Sequence, residues 1–456
     1  QQTTGRRTKN SRQGAMQRNA RRGGKQPGQF HRYFPHCKQA TRVRCETLCC
    51  INPEQVPDIT ARTLSRRHEW FLLLTLLAIN FTHIMDFMMM MPLGPQFMRL
   101  FHITPQQFGM LVSTYTFSAA AAGFVSAFWV DRFDRKHTLL FLYAGFALAT
   151  LSCALADSYW MLLLARAVAG GFGGIVGATV LAIVGDVIPA KRRGTAMGTV
   201  MSAFSLSAVA GVPGGLLLAE HFGWQGPFLF IAAVAVPLWL AANVVIPPLR
   251  GHVQPHRSRT AWQQLRFMYG QALHLRAFAL MASLMFAGFS VIPFLSPYMV
   301  ATVGIGEADL KYIYLCGGLA TLFSARLIGW LADHIGKVRM FVIVAVLSLP
   351  AILLLTHWQA APLALTLSVT TYFMVFVSGR LVPAMAIVTG AVAPQHRGSF
   401  MSFNSATQQL AAGLAAFGGG LMLHKDATGA LQGYDLVGYA ACGFTLLCIW
   451  LALRLR

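Results

Sequence analysis

Asp86 and Arg166 are the residues of this sequence best suited to chemistry. Each interrupts a long apolar stretch: Asp86 within Asn80-Phe81-Thr82-His83-Ile84-Met85-Asp86-Phe87, and Arg166 at the head of Arg166-Ala167-Val168-Ala169-Gly170-Gly171-Phe172-Gly173-Gly174. An ionised side chain in a membrane-spanning segment costs about 3 kcal/mol or more, so it must meet water or an opposite charge. A buried carboxylate beside a guanidinium is a reasonable proton-handling device. Burial disfavours its charged form, the guanidinium favours it, and moving the two apart changes the balance. The plainer reading is a fixed pair that only holds two helices together. His83, three residues before Asp86, shares its helical face and is a candidate proton relay, although a packed histidine is the commoner role.

The elements that position these residues follow from composition. Of 456 residues, 55% are hydrophobic and 11% charged, whereas a soluble domain carries charge on roughly a quarter of its residues. The 37 Lys and Arg outnumber the 15 Asp and Glu, but the excess is concentrated in residues 1–69, which contain no long apolar stretch. This segment is expected to be a basic, disordered tail. From Trp70 onward the chain divides into apolar stretches at 70–97, 107–130, 137–156, 159–187, 196–218, 226–247, 276–301, 309–332, 338–356, 362–390, 399–424 and 434–453. Each is long enough, at ~1.5 Å per residue, to cross a ~30 Å hydrocarbon layer. Lipid leaves no partner for an open sheet, so all are expected to be helices. With no apolar run before Trp70, the first of them is expected to serve as the insertion signal.

Basic residues gather in the even-numbered loops, including Arg132, Arg135, Lys136, Lys191, Arg192, Arg193, Lys337, Arg339 and Arg397, while the opposite side holds Arg99, Lys311 and Lys425. By the positive-inside rule both termini are cytoplasmic. The hydrophilic stretch 248–275 divides the spans into an N-terminal six-helix bundle (70–247) and a C-terminal one (276–456). The halves repeat one another: WVDRFDRK at 129–136 recurs as WLADHIGK at 330–337, and RGTAM at 193–197 as RGSFM at 397–401. From these motifs the chain resembles the major facilitator superfamily, in particular its bacterial drug:proton antiporter and sugar-efflux branch.

The resemblance implies an all-α membrane fold of twelve helices in two pseudo-symmetric halves. It also implies that the loops after the second and eighth helices form a conformational gate. Gly329, Asp333, Gly336 and Lys337 match the family's G-x-L-A-D-R-x-G-R-K signature, as do Asp131, Arg132, Arg135 and Lys136 in the first copy. Ala127 and Asp134 stand where glycines are usual. Asp186, at the end of the fourth helix, is placed to pair with Arg132 or Arg135. Gly170 and Gly174, four residues apart, suit close helix packing. Gly211, Pro213 and Gly214 resemble a shortened form of the antiporter branch's Gly-Pro-Gly element. In the family's fold the first and fourth helices line one cavity. Counting from the cytoplasmic ends puts Asp86 at about 22–24 Å and Arg166 at about 27 Å, roughly one helical turn apart in depth.

The remaining polar residues inside spans are candidates for a substrate cavity. Arg380 lies near the middle of the tenth helix with no deep acid to pair with, which suits a cavity position or an anionic ligand group. Asn404 and Gln408 lie one turn apart on the eleventh helix, and Tyr115 is a weaker candidate. The cysteines lack the paired spacing of a zinc site, so no metal or cofactor is expected. There is no G-x-x-x-x-G-K-[ST], H-E-x-x-H or G-x-S-x-G element, so nucleotide-driven transport and intramembrane hydrolysis have no sequence support. The expectation is a proton-coupled exporter of a small organic molecule, not an enzyme, acting as a monomer in the bacterial inner membrane without a nucleic-acid partner. An importer or uniporter is the alternative.

Overall fold

A computed structural model of the chain describes residues 65–126, 133–249, 266–267, 269–392 and 397–455. Eleven helices among the described residues are long and apolar enough to cross a membrane: Arg66–Met89, Pro105–Ser126, Arg135–Ala154, Tyr159–Val187, Arg192–Phe222, Gly226–Val245, Ala272–Ala301, Glu307–Ile335, Lys337–Thr356, Leu363–Gly390 and Tyr434–Arg454. Arg397–Met422, 26 residues long, is the twelfth. Asn404, Ser405, Thr407, Gln408 and Gln409 dilute its apolar character. Counted in chain order these are spans 1 to 12, and they make the twelve-helix, two-half fold. Span 1 begins at Arg66, slightly ahead of Trp70, because the Ser65 side chain caps it by accepting from the His68 N–H.

Four spans expected to be continuous are interrupted. Span 1 breaks after Met89 and resumes as the short helix Gly94–Leu100, with Pro92 in the gap. Span 7 runs as Ala272–Phe289, then a 3₁₀ turn Ile292–Phe294 containing Pro293, then Leu295–Ala301. Pro92 and Pro293 stand about two hundred residues apart, as Trp129 and Trp330 do, so the break belongs to the internal repeat. In span 5 a π-helical turn, Ser207–Gly211, precedes Val212–Phe222. Pro213 has no N–H to offer the carbonyl four residues back, and the wider turn absorbs the mismatch. Span 10 divides into Leu363–Gly379 and Leu381–Gly390, with Arg380 at the junction.

The halves meet chiefly along spans 2 and 11 and along spans 5 and 8. At the second seam a Cβ on Gly318 would lie 2.7 Å from the Ala208 carbonyl oxygen, so glycine is what lets span 8 approach the π turn of span 5. The face bearing the odd-numbered loops is tied across the halves. Arg99 forms a two-pronged ion pair with Glu307, Lys311 pairs with Glu220 at 2.7 Å, and Phe108 packs edge-on against Phe294. On the even-loop face the ion pairs Arg135–Asp186 (3.0 Å) and Arg192–Glu69 (2.8 Å) both stay inside the first half.

A two-stranded hairpin, β1 (His424–Lys425) and β2 (Leu431–Gln432), joins spans 11 and 12 on the odd-loop face. Asp426 organises its turn by accepting from the Thr428 hydroxyl and N–H, the Ala430 N–H and the Gln432 amide. Those bonds, led by the Thr428 and Gln432 side chains, hold its carboxyl down to about 2. A depressed carboxylate stabilises the fold above its ordinary range near ~3.9 and loses that contribution as pH falls through the folded value. The Thr428 and Ala430 amides are therefore expected to stay protected from hydrogen exchange down to pH ~4 and to open as pH approaches ~2. In Asp426→Ala they should be unprotected throughout. Retained protection in that variant would assign the hairpin's order to its anchor on Thr302, which both donates to and accepts from Leu431.

Candidate functional site

Span 1 and span 4 bring Asp86 and Arg166 together. Both are 0% exposed, and Arg166 Nη1 donates to Asp86 Oδ2 at 2.7 Å. The second carboxylate oxygen accepts from the Thr150 hydroxyl of span 3 at 3.3 Å. The guanidinium lies over the Tyr115 ring, 4.4 Å from its centroid, a favourable place for a desolvated cation. Tyr115, read from sequence as a cavity candidate, is thus the floor of the charged pair. Phe87 closes the group, with its ring 5.3 Å from Tyr115 and 6.0 Å from Phe289 of the second half.

Beside this pair lies a set of polar atoms with nothing to bond to. Both ring nitrogens of His83, the Tyr115 hydroxyl and Arg166 Nε are buried without a hydrogen-bond partner. His83 and Tyr115 converge on Gly173, where a Cβ would stand 2.5 Å from the Tyr115 hydroxyl and 3.2 Å from His83 Nε2. The glycine therefore holds open the space between them. Buried polar atoms in native proteins are almost always satisfied, and two of them facing one glycine suit a water or a proton in transit. Gly170 and Gly174 pack as the motif suggests, against the Tyr115 backbone and Ala119. In span 5 the pattern shifts by one residue. A Cβ on Gly214 would meet nothing within 4 Å, whereas Gly215 abuts Met89, and Gly211 faces Met85 and Phe81 at ordinary contact distance.

Arg380 lies in a different kind of site. It is 1% exposed and donates to Thr445 Oγ1 at 2.8 Å, Ser348 Oγ at 3.4 Å and the Val377 carbonyl at 3.2 Å. Asn404 is fully buried with neither amide atom bonded, and Gln408 is half-buried. The structure groups neither of these with Asp86.

Of the gate residues, Asp131 and Arg132 lie outside the described residues, as does Ala127. Arg135 reaches Asp186 at 3.0 Å, and Lys136 Nζ donates to the Asn243 carbonyl at 2.6 Å, so these bases bind spans 3, 4 and 6 at one end. Asp134 replaces the usual glycine by capping span 3, accepting from the Lys136 N–H at 2.9 Å and the Leu249 N–H at 3.2 Å. In the second copy Gly336 keeps the glycine and uses it, with φ +99° where span 8 ends. Gly329 faces Val382, while Asp333 and Lys337 are exposed. Sequence reasoning missed Thr150, and read Gly173 only as a packing glycine, because which way a helix residue faces is not revealed by a spacing rule.

Comparison with known proteins agrees with this architecture. The sequence profile described as Major Facilitator Superfamily matches residues 76–292 and again residues 277–456. Multidrug resistance protein MdtG of Serratia proteamaculans is 28% identical over 319 residues, 66% of this chain and 74% of the relative. AraJ of Escherichia coli K12 is 26% identical over 254 residues, 54% of this chain and 61% of its own length. The crystal structure of a bacterial homologue of the human lysosomal transporter Spinster, inward-facing and unoccupied, superposes with a TM-score of 0.66 at 17% identity, covering 86% of this chain and 95% of the other.

Breaking a buried ion pair from one side costs about 3–5 kcal/mol, because the remaining charge is stranded. A stranded carboxylate can neutralise itself by taking up a proton, whereas a stranded guanidinium cannot lose one. Asp86→Leu is therefore expected to lower the thermal unfolding midpoint in detergent more than Arg166→Met does, and the double variant to recover much of the loss. Equal losses that simply add would mean that the two groups are not energetically coupled.

Proposed function

We propose, from the premise that this chain belongs to the Major Facilitator Superfamily and is a multi-pass membrane transporter, that it exports a small organic molecule in exchange for protons, with Asp86 as the coupling carboxylate. The observation that carries this reading is the fully buried Asp86–Arg166 pair with unpartnered His83 and Tyr115 atoms beside it. A static structural pair needs no adjoining polar space, whereas a proton carrier does. The resistance function in MdtG's name supports the direction of transport.

In this reading the even-loop face is cytoplasmic, by the distribution of its bases, and spans 1–6 and 7–12 are the bundles proposed at 70–247 and 276–456. The ties between Arg99 and Glu307 and between Lys311 and Glu220 then lie on the outer side and must part for the outward-open conformation to form. In the outward-open conformation a proton from outside neutralises Asp86 and releases Arg166. His83 and Tyr115 pass the proton inward when the halves rock back, and the recharged Asp86 takes up Arg166 again. The Arg135–Asp186 tie holds the inner end of the first half as a unit while the seam opens.

Proton movement in proteoliposomes tests the assignment, with wild type compared to Asp86→Asn over a panel of cationic, neutral and anionic compounds. At least one compound is expected to move protons in wild type and none in the variant. The variant should still exchange labelled compound for unlabelled compound, which shows that it is folded and binding. Proton movement at the wild-type rate in Asp86→Asn would reduce the pair to a structural role. Protons and compound moving in the same direction in wild type would make the protein an importer.

A further inference from the structure

We infer that the transported molecule is an amphipathic organic monoanion whose carboxylate-type head binds Arg380; the inference rests on the transport reading above and names its substrate class. A guanidinium stays charged under all ordinary conditions, and a buried charge without a counter-ion is among the costliest features a fold can hold. The first half meets that requirement for Arg166 with Asp86. In the second half, no carboxylate among the described residues pairs with Arg380. Thr445, Ser348 and the Val377 carbonyl hold Nη1 and Nε, and Nη2 is left buried with no partner.

That free edge is buried, and its direction is fixed by the bonds on the other side of the guanidinium. Nη2 lies on the side of span 7, where a Cβ on Gly288 would be 3.9 Å away, so at this point only a glycine stands between it and span 7. The next residue on span 7, Phe289, meets Phe87 of the first half. One free guanidinium edge suits one singly charged oxyanion. Its surroundings of Val377, Ile292 and Phe289 suit an apolar body.

A second observation points to the same sign of charge. A cavity of about 820 Å³ opens on the odd-loop face between the ends of spans 1 and 7 and the hairpin. Its lining includes Lys425, and the acid among its walls, Glu307, is already held by Arg99. Met98 and Val300 supply apolar wall. A concave site with surplus positive charge concentrates anions at its mouth, and this one stands over the closed seam.

Binding to the purified full-length protein in detergent, at one pH and without a proton gradient, tests the inference separately from proton coupling. The probes are decanoate, 4-phenylbutyrate and 1-naphthoate, each beside its primary amide and primary amine. At least one carboxylate is expected to bind more tightly than its amide and amine. Arg380→Met should weaken that carboxylate by about tenfold or more and leave the amide unchanged. Gly288→Ala, which the surrounding distances accommodate without a clash, should weaken the carboxylate selectively while keeping the fold. Loss of carboxylate preference in wild type, its survival in Arg380→Met, or an unchanged affinity in Gly288→Ala would each overturn the inference. Stabilisation by chloride alone would assign Arg380 to an inorganic counter-ion and overturn it as well. Failure here leaves the role of Asp86 standing, and failure of Asp86 as coupling site leaves this result unaffected.

Discussion

An ion at hydrocarbon depth must have a partner, and that requirement organises this molecule more than any other. In the first half it draws spans 1, 3 and 4 to a common point, because Asp86 accepts from both Arg166 and Thr150. The glycines of span 4 follow from the same demand, since Arg166 reaches the pair only if span 4 lies close to Tyr115 and Ala119. The Tyr115 ring beneath the guanidinium and the Phe87 ring above Tyr115 then keep bulk water from the charges, which strengthens their attraction. Packing, electrostatics and the unpartnered polar atoms are consequences of one placement.

Much of this was legible in the sequence, for physical reasons. Apolar stretches about twenty residues long mark spans because the bilayer has a fixed thickness. The pair was legible because Asp86 is the only acid deep in the first half, so depth counting left Arg166 no other partner there. Glycine spacing in span 4 announced a close approach, and the partner of Asp186 could be narrowed to Arg132 or Arg135 because all three stand at neighbouring helix ends. Other features depend on how helices face one another, which spacing alone does not encode. Thr150 and the place of Gly173 beside His83 and Tyr115 are of this kind, as is the contact of Arg380 with Thr445 and Ser348. The Arg99–Glu307 tie joins loops some two hundred residues apart and exists only where the two halves close on that face.

The two halves repeat in helix order and differ in how they treat charge. Asp134 caps span 3 where the second copy uses Gly336 to leave span 8 at positive φ. Arg166 has its carboxylate, and Arg380 has hydroxyls and a carbonyl. Among the described residues, a duplicated scaffold thus holds a guanidinium with a carboxylate in one half and a guanidinium without one in the other.

The breaks at Pro92 and Pro293 leave spans 1 and 7 each ending in a seven-residue helix, and those two ends pack together where a Cβ on Gly94 would press against Pro297. Each short helix is joined to its parent through non-helical backbone, so it can tilt while the longer helix stays seated in its bundle. The stopper over the seam is therefore mechanically distinct from the walls beneath it. Tilting of the short helices on the odd-loop face and movement of the bundles would therefore turn on separate hinges.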